Sequence, residues 1–305
     1  MITRDPQEFL RWLQAEKLPA NAPPVARACF LVEPAGFRIS EQTAQDNQYM
    51  EPDAVVNAQR AIDQHRQLGE AISDAGITAL RFAGKPETPD DVFPNNVFAT
   101  VPGRLIIGSM LHPERRLEAE RQDIRQFFNH LLGYSTVDLS TRPVIAELTG
   151  SVVIDRARQI GFCGMTQRVD DAGCQAMHEA FGFAATFQFD LKPEEYHTNV
   201  VMAVLASRAL VICPDAFVDP AVPAAIAEVY PERVITISRE QKEAYAGNII
   251  ALSEQDLFVS DAAADALGAA ALEQLRSWGF IVHRVALDEI EKAGGSLRCT
   301  VAEIY

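Results

Sequence analysis

The sequence has no apolar stretch long enough to span a membrane and no excess of basic residues. Its longest apolar runs, such as NVVMAVLASRALVICP, are typical of paired buried strands. The 42 acidic residues outnumber the 27 basic residues, so the net charge is −15. Because nucleic acids and anionic membranes bind basic surfaces, we expect no nucleic-acid partner and no membrane partner. The charge is compatible with a small cationic ligand.

Cysteine pairs with the spacing of a zinc site or a disulfide framework are also missing. The cysteines are odd in number and widely spaced, without any C-x-x-C motif, at Cys29, Cys163, Cys174, Cys213 and Cys299. This pattern predicts free thiols in a reducing cytoplasm. The first residues, MITRDPQEFLRWLQAEK, contain acidic side chains and no continuous apolar run, so we expect no secretory signal.

Low-complexity segments and flexible linkers are absent too, but a repeat runs through the chain. Short apolar runs begin at intervals of 48 to 55 residues, at Asn96, Ser151, Asn199, Asn248 and Cys299. One interval further back lies Asn47. A period of this length is typical of solenoids, propellers and other arrays.

Each interval predicts two strands, a helix and a third strand. In NVFATVPGRLIIGSM, the turn between the first two strands falls at Pro102-Gly103. Apolar residues at three-to-four spacing predict helices over 52–76 and 113–133. The third strands are ITALRFA, YSTVDLS, AATFQFDL, RVITIS and FIVHRVAL. Five such units predict an α/β ring with strands inside and helices outside.

We expect this ring to be a single domain over 1–305, with 1–25 as an N-terminal extension. Its last strand should close against the strand around Cys29. The starts of the first strands then meet near the axis, and they carry polar side chains, which are costly to bury unless hydrogen-bonded. We therefore expect a shared cavity near Asn47, Asp90, Asn95, Asn96, Glu147, His197, Asn199, Asn248 and Cys299.

Cys299 allows two interpretations. It could be a packing residue, because free cysteine is among the most buried residue types. It could also be a nucleophile, because His197 and Glu147 occur in the same register of the repeat. The second interpretation is favoured, with Gly294-Gly295 providing a turn and space beside the cavity. The other four cysteines are interpreted as packing residues.

The ordered motifs resemble those of the pentein superfamily of guanidino-group-modifying enzymes. PDDVFPNN is similar to the first substrate-binding strand of that superfamily, and DNQYM to a stretch near the start of arginine dihydrolases. Glu147 in ELTGS, His197 in YHTN and Cys299 in GGSLRC resemble its acid, its general acid/base and its nucleophile. The resemblance extends from about Ala26 to Tyr305. It implies a five-bladed α/β propeller of pseudo-fivefold strand–strand–helix–strand repeats.

The resemblance also implies hydrolysis through a covalent adduct on Cys299. His197 would serve as general acid and base, and Glu147 would orient it. Carboxylates and amides would hold the planar group of a small guanidino or ureido substrate. This chemistry needs no metal or organic cofactor. The oligomeric state is left open, with a homodimer as one candidate.

Three positions depart from the deiminases and dimethylarginine hydrolases of the superfamily. Those enzymes typically carry Glu-Asp where this chain has Asn95-Asn96, and Asp where it has Asn199. An amide can bind a neutral ureido group as well as a guanidinium, because it offers both an acceptor and donors. The pattern favours a dihydrolase or ureido-hydrolase acting on arginine, citrulline or a derivative. The alternatives are an arginine deiminase, a dimethylarginine dimethylaminohydrolase, an amidinotransferase and a non-catalytic ribosome-binding factor.

Six arginines are candidates for binding a substrate carboxylate, and none of them is favoured: Arg38, Arg104, Arg115, Arg116, Arg142 and Arg298. The stretch ERRLE (114–118) is typical of a solvated helix start. Arg298 should point to the face of its strand opposite to Cys299. Asn248 follows Gly247 and fits a turn as well as it fits a cavity.

Overall fold

The computed structural model describes residues 1–15 and 22–305. Within these ranges it contains five small sheets with one common topology. In each sheet the first strand pairs antiparallel with the second, and the second pairs parallel with the third. The protein is therefore an α/β fold built from repeats of one unit.

The sheets follow the chain in order, except that the first sheet takes its first strand from the C-terminal end. The first sheet contains Ala302–Ile304, Ala28–Val32 and Thr78–Phe82. The second contains Phe98–Val101, Arg104–Ile107 and Ser135–Asp138. The third contains Val152–Asp155, Ile160–Met165 and Ala185–Asp190. The fourth contains Met202–Leu205, Ala209–Ile212 and Val234–Thr236. The fifth contains Ile250–Ala251, Asp256–Ser260 and Ile281–Val285.

A helical segment connects the second and third strands of every sheet. In chain order these connections are Ala58–Asp74, then Pro113–Ala119 with Gln122–Gln126 and the π-helical Phe127–Leu131, then Asp171–Phe181, Ala221–Ala227 and Asp261–Ser277. Other helices are Pro6–Ala15, Leu148–Ser151, Thr198–Val201, Arg239–Glu243, Asp288–Glu291 and Leu297–Thr300. Short 3₁₀ turns occur at Thr43–Gln45, Pro89–Val92, Pro94–Asn96 and Pro214–Ala216.

Both predicted long helices are shorter than expected. The helix predicted over 52–76 begins at Ala58, because the Asn57 side chain caps it by accepting a hydrogen bond from the Arg60 backbone N–H. The helix predicted over 113–133 is broken at Arg121, whose backbone leaves the helical region with φ −57° and ψ 103°. The buried Arg121 side chain binds Asp91 instead.

The C-terminal strand closes the first sheet, as predicted. Glu303 lies opposite Cys29 in the antiparallel pair, and Ala302 lies opposite Phe30. At the other end of the chain, Ile2–Thr3 pairs parallel with Thr186 and Phe187 and so extends the third sheet. Residues 16–21 of the predicted extension lie outside the described part of the chain. No helix in the described part is long and apolar enough to cross a membrane.

The predicted strand starts are wrong by one to three residues. The first strands begin at Phe98, Val152, Met202, Ile250 and Ala302. In four of the five repeats a short helical turn precedes the strand, and the polar residues lie in this turn or directly before it. Asn47 precedes no strand, because the chain around it is a loop, whose single β-bridge joins Met50 to Ala293.

Candidate active site

Short helical turns bring the polar residues of different repeats together. The turn Leu148–Ser151 contacts both Pro94–Asn96 and Thr198–Val201, and the turn Leu297–Thr300 contacts Pro94–Asn96. Gly150 permits the approach, because a Cβ atom there would lie 2.6 Å from both the Asn96 Oδ1 atom and the His197 ring. The helical turns thus bring together polar residues that are about fifty residues apart in the sequence.

A cavity opens where these turns meet. Its wall carries groups of both charges as well as amides and the thiol: Thr43, Asn47, Met50, Asp90, Phe93, Asn96, Arg115, Arg168, Tyr196, Ala293, Gly294, Gly295 and Cys299. Four of the residues predicted at the site therefore line this cavity. The other five, Asn95, Glu147, His197, Asn199 and Asn248, lie buried beside it.

The glycine pair before Cys299 gives the chain a turn next to the cavity. Gly294 has φ 75°, a conformation that side chains with a Cβ atom rarely adopt. A Cβ atom there would also lie 2.4 Å from Asn47 Nδ2. The Asn47 amide and the Tyr196 hydroxyl both donate to the Gly294 carbonyl, at 3.2 Å and 2.5 Å.

Glu147, His197 and Arg168 form a buried charged group. Glu147 Oε2 lies 2.9 Å from His197 Nε2 and 3.1 Å from Arg168 Nη1. Burial alone would raise the pKa of Glu147, but Arg168 and His197 hold it far below its usual range. Burial lowers the pKa of His197, and Glu147 opposes this effect only in part. With Nε2 held by the carboxylate, Nδ1 is the histidine atom that can exchange a proton with another group.

Cys299 is only 1% exposed, and amides surround its sulfur. Asn248 Nδ2 lies 3.3 Å from Sγ, and Asn199 Nδ2 lies 3.6 Å from it. Burial raises the pKa of the Cys299 thiol, while the hydrogen bond from Asn248 acts in the opposite direction. The sulfur can therefore exist as a thiolate only where such donors or a bound cation stabilise it.

Four buried polar atoms at the site have no hydrogen-bond partner in the described part of the chain. They are Asp90 Oδ1, Asn95 Oδ1, Asn96 Oδ1 and His197 Nδ1. Unsatisfied buried polar atoms cost about 1–3 kcal/mol each, so several of them at one cavity indicate a ligand that satisfies them. Three of the four are oxygen acceptors, which favours a ligand rich in N–H groups.

Two arginines of the cavity wall, Arg115 and Arg168, differ from what the sequence predicts. ERRLE is not a solvated helix start, because Arg115 and Glu118 are buried and pair with each other at 2.8 Å. They lie three residues apart on the same face of the helix, and that face packs inward. Arg168 was missed, because it lies in a turn after the second strand of its repeat and not at a strand start.

The other candidate arginines do not line the cavity. Arg38 pairs with Glu114, Arg104 donates to the Ala180 carbonyl, and Arg116 donates to the Met110 carbonyl; none of these groups belongs to the cavity wall. Arg142 lies at a separate surface groove. Arg298 points away from the cavity, as expected, and pairs with Glu303 at 2.9 Å, although it lies in a helical turn and not in a strand.

A second buried charge pair supports the loop over the cavity. The Lys242 ammonium binds Glu195 Oε1, and the Tyr49 hydroxyl donates to Glu195 Oε2 at 2.8 Å. Glu195 lies two residues before His197, and Tyr49 two residues after Asn47. The pair therefore ties the loop around Asn47 to the segment that carries His197.

We expect Lys242→Met to lower the free energy of unfolding by about 3–5 kcal/mol, because it leaves the Glu195 carboxylate buried without its cation. Urea denaturation measures the effect. The matched control is Arg239→Met, which removes one partner of the exposed pair with Glu243 and should cost less than about 1 kcal/mol. Equal losses in the two variants would contradict a special role for the buried pair.

No group of three or more His, Cys, Asp or Glu residues in the described ranges is arranged to hold a metal ion. The side chains at the site are a thiol, an imidazole held by a carboxylate, amides and two guanidinium groups. These groups can supply a nucleophile, a proton donor and acceptor, and contacts for a polar ligand.

Comparisons with known proteins find relatives over most of the chain. The chain is 25% identical over 287 residues to the N(G),N(G)-dimethylarginine dimethylaminohydrolase of Mycobacterium tuberculosis (strain ATCC 25618 / H37Rv), covering 94% of this chain and 89% of that protein. It is 22% identical over 269 residues to the uncharacterized protein YkgA of Bacillus subtilis (strain 168), covering 88% of each.

Solved structures share the fold at lower identity. The N-terminal domain of ArgZ, an arginine dihydrolase from the ornithine-ammonia cycle in cyanobacteria, superposes with a TM-score of 0.79 at 18% identity, covering 91% of this chain and 97% of that domain. SxtG, an amidinotransferase from Microseira wollei, superposes with a TM-score of 0.73 at 13% identity, covering 94% and 96%.

The family comparison spans most of the chain. A family model described as "N,N dimethylarginine dimethylhydrolase, eukaryotic" matches residues 33–305. This range includes every residue of the Cys299 cavity and all five repeats, apart from the strand Ala28–Val32. The chain belongs to this dimethylarginine dimethylhydrolase family, and thereby to the pentein superfamily of guanidino-modifying enzymes.

Proposed function

We propose that the protein hydrolyses C–N bonds of arginine, citrulline or a derivative through a covalent adduct on Cys299. The observation that carries this proposal is the set of unpartnered buried atoms beside the cavity. The oxygens of Asp90, Asn95 and Asn96 need N–H donors, and a guanidinium or ureido group offers them in a plane. We further infer that the five sheets are the blades of a propeller and that 1–305 is one domain.

The first half of the reaction breaks one C–N bond. The Cys299 thiolate attacks the guanidinium carbon and forms a C–S bond. His197 gives a proton from Nδ1 to the departing nitrogen, which leaves as ammonia, and the carbon stays on sulfur as a thiouronium adduct. Glu147 stabilises the imidazolium that donates this proton, because its carboxylate lies 2.9 Å from Nε2.

Water then releases the adduct. His197, now neutral, takes a proton from a water molecule that attacks the same carbon, and the C–S bond breaks to leave a ureido compound and the thiolate. The amides of Asn95 and Asn96 support a second cycle on this neutral product. Because the amides are uncharged, they can bind the uncharged ureido group without leaving a carboxylate unpaired. The second cycle releases another ammonia, and hydrolysis of the thiocarbamate yields an amine and carbon dioxide.

The remaining cavity wall is suited to the amino-acid end of such a substrate. Asp90 Oδ2 accepts from Thr43 at 2.8 Å, which leaves Oδ1 for the guanidinium or ureido group. Arg115 and Arg168 lie on the same wall and can face a carboxylate. We infer that the substrate is a free amino acid or a close derivative.

The five free cysteines are consistent with the reducing cytoplasm predicted from the sequence.

A second candidate function is dimethylarginine hydrolysis, which the family description and the Mycobacterium relative favour. One experiment separates the two. The protein is incubated with arginine, citrulline and N-methylated arginines, and ammonia, methylamines, citrulline and ornithine are measured. We expect two ammonia per arginine with ornithine as product. Methylamine release with no attack on citrulline would support the second candidate, and citrulline accumulating with one ammonia would contradict the dihydrolase.

Asn96→Asp should shift the preference between substrates. Its added negative charge strengthens binding of a guanidinium but offers no donor to a ureido oxygen, so we expect the ratio of arginine to citrulline turnover to rise about tenfold or more. Steady-state kinetics with both substrates measure the ratio. Asn57→Asp adds the same charge at an exposed helix cap and should leave it unchanged. An unchanged ratio in Asn96→Asp would remove Asn96 from the substrate contacts.

A further inference from the structure

Asn199 and Asn248 do not line the cavity in which the substrate is proposed to bind. They lie behind the sulfur of Cys299, with both Nδ2 atoms directed at Sγ. The sequence predicts both residues at the cavity, with a turn as the alternative for Asn248. The structure instead gives them contact with the reacting atom of the protein.

The orientation of the two amides is fixed by their other hydrogen bonds. Asn248 Oδ1 accepts from the backbone N–H groups of Arg298 and Cys299, at 3.0 Å and 3.4 Å. Its Nδ2 donates to the Asn199 carbonyl at 2.9 Å. Asn199 Nδ2 donates to the Thr149 carbonyl at 3.1 Å. A flipped amide in either residue would set oxygen against oxygen, so both Nδ2 atoms keep their place near the sulfur. Asn199 Oδ1 lies slightly further from Sγ, at 3.8 Å, where it can accept a hydrogen bond only from the protonated thiol.

We propose that Asn199 and Asn248 stabilise the Cys299 thiolate with two N–H donors, and that this stabilisation enables attack on an uncharged ureido carbon. The second part rests on the proposed function. A guanidinium substrate brings a cation that favours the thiolate, whereas a ureido substrate brings none. The protein must then supply the stabilisation itself. Hydrogen bonds to a charged group favour it, and a carboxylate in either place would repel it.

Other charged and titratable groups surround Cys299 and also influence the pKa of its thiol. They are Arg298 next to it in sequence, the hydroxyls of Tyr196 and Tyr245, Asp90, Arg115 and Arg168 on the cavity wall, the Glu147–His197 pair, and Glu291, which binds Ser296. The two amides differ from all of these groups, because within the described part of the chain only they donate a side-chain hydrogen bond to Sγ.

The test is a titration of the thiol in the absence of substrate. The ultraviolet absorbance of the thiolate is followed against pH in the wild type, Asn248→Asp, Asn199→Asp and the surface control Asn57→Asp, with Cys299→Ser subtracted as background. Asn248→Asp keeps oxygen acceptors for the two backbone N–H groups and replaces only the donor. We expect the pKa of the thiol to rise by about one pH unit or more in both site variants and to stay unchanged in the control.

Asn199→Ala removes a donor without adding charge, and should raise the pKa of the thiol by a smaller amount. If an aspartate variant does not fold, Asn199→Ala is measured in its place. An unchanged thiol pKa in all three site variants would overturn the inference. Turnover separates the inference from the function: citrulline hydrolysis should fall at least tenfold more than arginine hydrolysis. Equal losses of arginine and citrulline turnover would overturn the link to the ureido substrate. A raised thiol pKa in the variants, together with a wild type that hydrolyses no C–N bond, would overturn the proposed function alone.

Discussion

Replacing Cys299 by serine is expected to lower arginine turnover by a factor on the order of 10⁴ or more. The hydroxyl group is a far weaker nucleophile than a thiolate, and the two amide donors next to it are not bases that could activate it. The variant should keep its fold and still bind the substrate, since serine fits the space of cysteine. Steady-state kinetics measure the loss, and the shift of Tm on adding arginine measures the binding.

Cys213→Ala provides the matched control for this variant. Cys213 is buried beside the fourth sheet and lies outside the Cys299 cavity, so the substitution should leave turnover unchanged. A further check is the adduct: mass spectrometry of the quenched wild type should find added mass on Cys299, and on no other cysteine. Turnover that survives in Cys299→Ser would remove the covalent mechanism.

Glu147→Gln should lower turnover by about 10²–10⁴-fold, the usual range for loss of general acid–base catalysis. Glutamine keeps the shape of the side chain but removes the negative charge between His197 and Arg168. The imidazolium then loses the partner that stabilises it. Arg168 also loses a buried counter-ion, although it retains Asp46 at 2.6 Å. Kinetics at several substrate concentrations should assign the loss mainly to kcat.

The pH profile gives this variant a specific signature. Burial lowers the pKa of His197, and the Glu147 carboxylate raises it in part. Without the carboxylate the pKa of His197 falls further, so the imidazolium that donates the proton disappears at a lower pH. The alkaline limb of kcat should therefore move toward acid. Glu179→Gln, an exposed substitution with the same change of charge, should leave the limb in place; an unmoved limb in Glu147→Gln would contradict the pairing.

Sequence patterns were sufficient to predict the repeat, because strand period and turn residues are local signals. The third strand of every unit, such as Ala185–Asp190, and the closure of the last strand against Cys29 were both predicted correctly. The helical turns before the first strands were not predicted. A turn of four residues such as Thr198–Val201 is too short to show helical periodicity.

The charged part of the site was harder to predict, for a physical reason. Arg168 has its role because Asp46 and Glu147, which are 122 and 21 residues away in sequence, both reach its guanidinium. Arg115 looks solvated by composition, yet its pairing with Glu118 buries both groups. Ion pairs of this kind depend on which surfaces the fold brings together, and a single sequence carries no local signal for them.

The pairing of Ala302–Ile304 with Ala28–Val32 also has a consequence for biosynthesis. A ribosome releases the strand Ala28–Val32 long before Ala302–Ile304 exists, so the nascent chain must carry an unpaired sheet edge through most of its elongation. Contacts between residues so distant in sequence form late, because loop closure costs entropy before the contact is made. Cys299, which precedes the strand Ala302–Ile304 by three residues, reaches the other repeats when that strand pairs with Ala28–Val32. An incomplete chain therefore holds neither a closed first sheet nor an assembled nucleophile, and chaperones that shield strand edges are expected to engage it.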